Sequence, residues 1–418
     1  MSNAATTTMA FLHDYAGDKQ RLLSMQEQLI GYKINMLLQC ADIIIVCLGG
    51  KAGRLGECVV ATGLLEGTLQ ALSYLGKVGT PVCLIIDEGA SELFDARLYQ
   101  KKYWSPITVI AVAQADMWHE VVPQEAYGKN ILVLDFHGAN DGMPYLQLIG
   151  PVDAPNDQAG TFSLLAHLFR VGLRSYAQRG SERRYADFIE ELFALPEGAI
   201  DGLQAQPGIL LSFEDYARYP ELVRKYSLDT AALQVICFFQ SIVLAKCYER
   251  WDEVLHLLCA YFAEYFPHQK LAFLLPCGPD EDLPQEIRKA ILEEWLQDFT
   301  GVHENAQVLI CTIPSLRDLA ILTSLSTLAL SNDTGPGHIA GALDVPTITP
   351  YLPGNIYSRQ IWSSTLWHHG VTLEPNPYTF EQLKSAVLWG NTHIINSIDP
   401  KSLFAQILMS LPRTFQML

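Results

Sequence analysis

Two hydrophobic rhythms alternate along this chain. Continuous apolar blocks occur at ADIIIVCLGG (41–50), TPVCLIIDEG (80–89), ITVIAVA (107–113) and NILVLDFHG (130–138). Such blocks predict strands buried on both faces, as in parallel sheets covered by helices. Between them, CVVATGLLEGTLQALSYLGK (58–77) has the length and period of a helix. KQRLLSMQEQLIGYKINMLLQC (19–40) has helical spacing as well, which predicts a helix packed on the domain that follows. The pattern loosens after 138: residues 160–194 read as mostly helical, and 195–230 are richer in Pro and Gly.

A second alternating series then begins. ALQVICFF (232–239), KLAFLLPCG (270–278), AQVLICT (306–312), TLALS (327–331) and VPTITPY (345–351) read as strands. ERWDEVLHLLCAYFAEYF (249–266), LPQEIRKAILEEWLQDF (283–299), SLRDLAILTSL (315–325) and IAGAL (339–343) read as the helices between them. The expectation is α/β, with a helical extension at 1–40, a Rossmann-like domain at 41–210 and a second at 211–418. Two doubly wound domains place a site in the cleft between them, at the carboxyl ends of the strands.

Composition narrows the function. The 418 residues suit two cores, and 49% apolar with 17% charged residues is globular. A net charge of −17 repels nucleic acid and anionic membranes. One basic cluster, Arg170, Arg174, Arg179, Arg183 and Arg184, reads as a solvated helix face alongside Glu182. The nine cysteines are scattered and odd in number, with no C-x-x-C spacing. They read as reduced core thiols of a cytoplasmic protein rather than a zinc site or disulfide frame. No apolar run is long enough for a membrane span, and the start lacks a signal-peptide pattern.

Three loops and one lysine could carry chemistry. GGKAGRLGE (49–57) puts Gly49, Gly50, Gly53 and Gly56 between a strand and a helix, with Arg54 among them. Its backbone N–H groups and the helix N-terminus behind it would favour an anion. Glu57 reads either as a helix-dipole carboxylate or as a general base at the cleft floor. LDFHG (134–138) puts Asp135 and His137 on one side of a strand end. SNDTGPGH (331–338) offers Asp333 or Thr334 as a helix cap, and two glycines, Gly335 and Gly337, that open the backbone to a phosphate. With Pro336 and His338 it holds more than capping needs. Lys246, in SIVLAKCYERW, is either a snorkelling lysine or a countercharge for a leaving diphosphate.

The stretch SLRDLAILTSLSTLALSNDTGPGHIAGALDVPTITPY (315–351) resembles the signature of the ADP-heptose:lipopolysaccharide heptosyltransferases, glycosyltransferase family 9. Weaker echoes are GRLGECVVATGLLEGTLQAL, LVLDFHG and GPDED, in the family's order. The resemblance implies a GT-B fold with acceptor mainly on the first domain and nucleotide-sugar donor mainly on the second. It implies an inverting, metal-independent sugar transfer, heptose-type, from an ADP- or other nucleotide-sugar to a saccharide or small hydroxylated acceptor, with no cofactor. Carried over, Asp333, Thr334, Gly335 and His338 would contact the donor, with Lys246 on its phosphates and Glu281 near its nucleoside. Gly337 and Ser241 join this donor group. Gly53, Arg54, Gly56, Asp135 and His137 would line the acceptor side. Glu57 falls where the family has an Asp base, one methylene shorter. The chain also departs from the family in its length, its N-terminal extension, and CFFQSIVLAK, which lacks the family's small residues.

Two other readings stand beside this one. A non-catalytic relative would keep the fold and bind a sugar nucleotide or a partner. An NAD(P)-dependent oxidoreductase would use CLGGKAGRLGE as its fingerprint and Asp87 as its ribose carboxylate. Its glycines are wrongly spaced and Asp87 lies too far on. The sequence leaves the nucleotide, sugar, acceptor and oligomeric state open.

Overall fold

The computed structural model describes residues 38–48, 55–113, 129–135, 145–149, 184–241, 243–277, 285–296, 299, 303–353, 368–412 and 415. The expected helix at 19–40 lies outside these except for its last residues, 38–40, which are helical. Of the basic cluster only Arg184 is included, as the first residue of a helix.

The first part contains β1 (Ile43–Leu48), α1 (Leu55–Tyr74), β2 (Val82–Asp87), α2 (Ala96–Tyr103), β3 (Ile107–Val112), β4 (Ile131–Asp135), β5 (Tyr145–Ile149) and α3 (Arg184–Leu192). A 3-10 helix, Glu88–Leu93, follows β2. Then come α4 (Phe213–Ala217), α5 (Tyr219–Tyr226), β6 (Leu233–Phe238), α6 (Trp251–Tyr265), β7 (Leu271–Cys277), α7 (Gln285–Trp295), β8 (Ala306–Thr312), α8 (Leu316–Ser324), β9 (Leu328–Ser331), α9 (Gly335–Ala342), β10 (Thr347–Pro350), β11 (His368–Val371), α10 (Phe380–Trp389), α11 (His393–Asn396) and α12 (Pro400–Ser410). Each strand and helix expected from the two alternating series is present. The Pro- and Gly-rich stretch 195–230 contains α4 and α5. Ser212 caps α4 through a capping box with Asp215, which the loose pattern concealed.

The strands form two sheets, ordered β3-β2-β1-β4-β5 and β11-β10-β9-β6-β7-β8. All pairings are parallel except β4 with β5. In each sheet the chain starts near the middle, builds outward on one side, then returns to build the other. The return falls between β1 and β4 in the first sheet and between β6 and β9 in the second. In open α/β sheets, ligands bind outside the carboxyl ends of strands at this reversal.

The helix α1 explains how the two sheets meet. It is buried along most of its length and presents apolar residues to more than one side. Gly63 and Gly67 let α3 approach: a Cβ on Gly63 would fall 2.9 Å from the Tyr185 ring, and one on Gly67 would fall 2.8 Å from Ile189. On its other side α1 packs against α9 of the second sheet's layer. One hydrophobic core therefore runs from Ile44, Val46 and Leu65 through Tyr185 to Leu322, Ala329 and Ile339. The far face of the second sheet has its own core around Trp251, Phe262 and Phe273. The far face of the first sheet carries Ile43, Ile45, Cys83 and Val133.

Candidate active site

Those expected site residues that are described collect at the two reversal points. The segment after β1 leads into α1 with Gly56 and Glu57 in its first turn. Asp135 is the last residue of β4, paired in register with Cys47 of β1. In the second sheet, Ser241 and Lys246 follow β6, and Asp333 to His338 follow β9, its hydrogen-bonded neighbour. Gly53, Arg54, His137 and Glu281 lie outside the described residues, as do the side chains of Glu57 and Asp135.

Asn332, inside SNDTGPGH, organises the second sheet's half of the site. Its N–H donates to Phe238 O at 2.9 Å. Its side-chain oxygen accepts from Tyr248 N at 3.1 Å and from Trp251 Nε1 at 3.0 Å, while its amide nitrogen donates to Phe239 O. Phe239 stacks on Trp251 with centroids 4.8 Å apart. A buried amide with these partners ties the segment between β6 and α6 to the turn after β9. The tie carries Lys246, in the 3-10 turn Leu244–Lys246, to Asp333: Lys246 Nζ lies 2.6 Å from Asp333 Oδ2. Both side chains are buried, so the snorkelling reading of Lys246 fails. Ser241 enters through its carbonyl, which accepts from the Cys247 thiol at 3.5 Å.

The turn is not a simple cap. Thr334 occupies the cap position of α9 but its side chain makes no capping hydrogen bond, and Asp333 faces Lys246 instead. The two glycines have separate causes. A Cβ on Gly337 would stand 2.4 Å from Ser331 Oγ and 3.0 Å from Ser331 Cβ. Ser331 Oγ is engaged there, donating to Asn332 O at 2.6 Å. A Cβ on Gly335 would stand 3.1 Å from Gly56 N, across the boundary between the two sheets' layers. From the other side, a Cβ on Gly56 would meet His338 Cδ2 at 2.9 Å. Gly56, Gly335 and His338 are thus in direct apposition.

His338 Nε2 lies 3.9 Å from Asp333 Oδ1. Behind it is His368, 5.5 Å away between ring centroids. Burial, and then the nearby His338, hold the His368 pKa well below the usual histidine value, so this ring is neutral. Asn332 and His368 are the residues that sequence reasoning missed. Asn332 was visible in the turn, but its role depends on a segment more than eighty positions away. His368 stands in a separate strand with no spacing signal.

A second polar bridge joins the halves beside this apposition. Ser315 Oγ donates to Glu92 Oε2 at 2.7 Å, and Arg317 Nη1 donates to Leu93 O at 3.1 Å. The same guanidinium forks onto Asp215, with Nε to Oδ1 at 2.9 Å and Nη2 to Oδ2 at 2.5 Å. The Asp215 carboxyl is buried, yet these hydrogen bonds and those from Ser212 bring its pKa down to about 2. All nine cysteines are free thiols. Among the described residues no group of three or more His, Cys, Asp or Glu could hold a metal ion, and no helix is long and apolar enough to cross a membrane.

Residues 211–385 match glycosyltransferase family 9 (heptosyltransferase), which bears out the resemblance read in the turn and its flanks. A comparison with curated proteins found no match. Among solved structures, the glycosyl transferase family 9 protein from Veillonella parvula is 17% identical, with a TM-score of 0.52 over 88% of this chain and 96% of that one. The E. coli ADP-heptose lps heptosyltransferase II is 13% identical, with a TM-score of 0.49 over 88% of this chain and 98% of that one. E. coli heptosyltransferase WaaC with ADP is 16% identical, with a TM-score of 0.45 over 88% and 99%. The likeness to the Veillonella structure, with the two sheets, shows the expected GT-B architecture.

Proposed function

We propose, from the premise that residues 211–385 form a glycosyltransferase family 9 domain, that this protein transfers a sugar from a nucleotide-sugar to a hydroxylated acceptor. The observation that carries the reading is the buried Lys246–Asp333 pair beside the uncapped N-terminus of α9, at the reversal point of the second sheet. The donor's diphosphate would lie over residues 334–338, where the helix N-terminus favours negative charge. Lys246 has three N–H donors, so it can hold Asp333 and a phosphate oxygen together.

The transfer is inverting in this reading. The acceptor oxygen attacks the anomeric carbon from the face opposite the diphosphate. The bond from that carbon to the phosphate oxygen breaks, and its electron pair leaves with the diphosphate. Glu57, in the first turn of α1, would take the acceptor's proton. Lys246 and the N-terminus of α9 would stabilise the charge building on the leaving group, so the reading assigns no role to a metal. A heptose on an ADP carrier is the donor we favour, and a saccharide is the acceptor class. We place acceptor contacts in the first domain (41–210) and donor contacts in the second (211–418).

The test is glycosyl transfer and slow donor hydrolysis with ADP-, UDP- and GDP-sugars, followed by nucleotide release. Lys246→Ala is expected to lower the rate by about 100-fold or more, in line with loss of a charge-stabilising group. Glu57→Gln is expected to abolish transfer while donor binding persists. Stabilisation by NAD(P) alone would overturn the reading. Binding of a sugar nucleotide without turnover across an acceptor panel would favour the non-catalytic relative.

A further inference from the structure

His338 is held between two unlike neighbours. On one side is Gly56, which belongs to the first sheet's layer. On the other is His368, at the start of β11 in the second sheet, whose layer of helices carries His338. A diphosphate entering at residues 334–338 must displace the Leu55–Gly56 side, because Gly335 and Gly56 are already in contact. If that side withdraws, the His368 contact, on the same half as the His338 ring, stays in place.

The His368 socket is built for such a task. The residue begins β11, opposite Thr347 in register on β10, and is 2% exposed. Its Nε2 lies 2.8 Å from Thr349 Oγ1 and 3.1 Å from Tyr351 OH. Both hydroxyls come from β10 or the residue after it, so a rigid sheet aims them. The ring lies against α9: a Cβ at position 341 would be in ordinary van der Waals contact with it, 3.4 Å from His368 Nδ1. The two hydroxyl partners offset the cost of burying the imidazole and hold it in one orientation.

We propose that His368, aimed by Thr349 and Tyr351, is a positioning residue that keeps the His338 ring directed at Asp333 and the phosphate turn when the two halves part. The inference rests on the transfer reading for its consequence, but its physical content is the orientation of His338.

The experiment measures both. The imidazole Cε1–H cross-peak of His338 is recorded without ligand, and ADP, UDP and GDP binding is measured by calorimetry, for the wild type, His368→Phe, His368→Gln and Thr349→Val. Phe keeps the ring volume without polar partners; Gln returns an amide to the two hydroxyls. The expected result is a displaced His338 cross-peak in His368→Phe and, to a lesser degree, in Thr349→Val. The nucleotide that binds wild type should bind His368→Phe about tenfold more weakly. His368→Gln should recover most of that loss. A folded His368→Phe with an unmoved cross-peak and unchanged affinity overturns the proposal. If His368→Phe does not fold, Thr349→Val decides on the same two readouts. If no nucleotide binds wild type, the transfer reading fails, while the cross-peak still decides the positioning.

Discussion

Gly337 and Glu66 show how single positions are fixed by their neighbours. From sequence alone, both glycines of the turn are openings for a phosphate. The structure separates them, since the Cβ slot of Gly337 is filled by Ser331. Gly337→Ala should therefore lower stability by about 1–3 kcal/mol through overpacking, read as a drop in the thermal midpoint. Ser331→Gly in the same chain should recover part of it. Glu66 lies on α1 at 1% exposure, with Lys102 Nζ 2.8 Å from its Oε2. Burial outweighs the lysine and lifts its pKa from 4.5 to about 7. The folded state thus holds a proton that the unfolded chain releases near pH 4.5, so this group's contribution is full below that value and falls as pH rises through about 7. Glu66→Gln carries no such proton. Its thermal midpoint should gain on the wild type between pH 5 and pH 8, by roughly 3 kcal/mol at the upper end. An equal gap at both pH values would refute this.

At the scale of elements, the strands and helices of both halves were legible because each buried strand writes a continuous apolar block, independent of tertiary detail. The turn after β9 was legible as a site because its residues are adjacent in sequence. β5 and β11 were not expected, and they are the short outer strands of their sheets, where the apolar signal is weakest. The Lys246–Asp333 pair was invisible for another reason: it depends on Asn332 binding the segment that precedes α6. Asn332→Ala would leave the Trp251 indole N–H and the Tyr248 amide without acceptors. We expect a loss of about 3 kcal/mol, and a larger drop in donor affinity than the folding defect explains, measured by denaturant unfolding and nucleotide titration.

At the scale of the molecule, the described residues of the two halves touch. Gly56 meets Gly335 at one point, and Glu92, Ser315, Arg317 and Asp215 form a polar bridge at another. A cleft between two domains was expected; where the halves touch was not, because no local pattern reports how two layers approach. Removing Arg317 leaves Asp215 without its fork and Leu93 O without its donor. Arg317→Ala should lower stability by about 2–4 kcal/mol and enlarge the radius of gyration measured by X-ray scattering. An unchanged radius would show that the glycine contact alone holds the halves together.

The core that passes from Ile44 through α1 to Ile339 has a thermodynamic corollary. Two independently stable halves would melt in two steps. Here neither half can lose its packing without stripping the apolar surface of α1 or α9 from the other. Calorimetry should record one endotherm, with van't Hoff and calorimetric enthalpies in agreement. The second half expressed alone should be insoluble, or soluble only with polar replacements along α9. Cooperativity across the whole chain would then be inherited from a single helix that lends apolar surface to both layers.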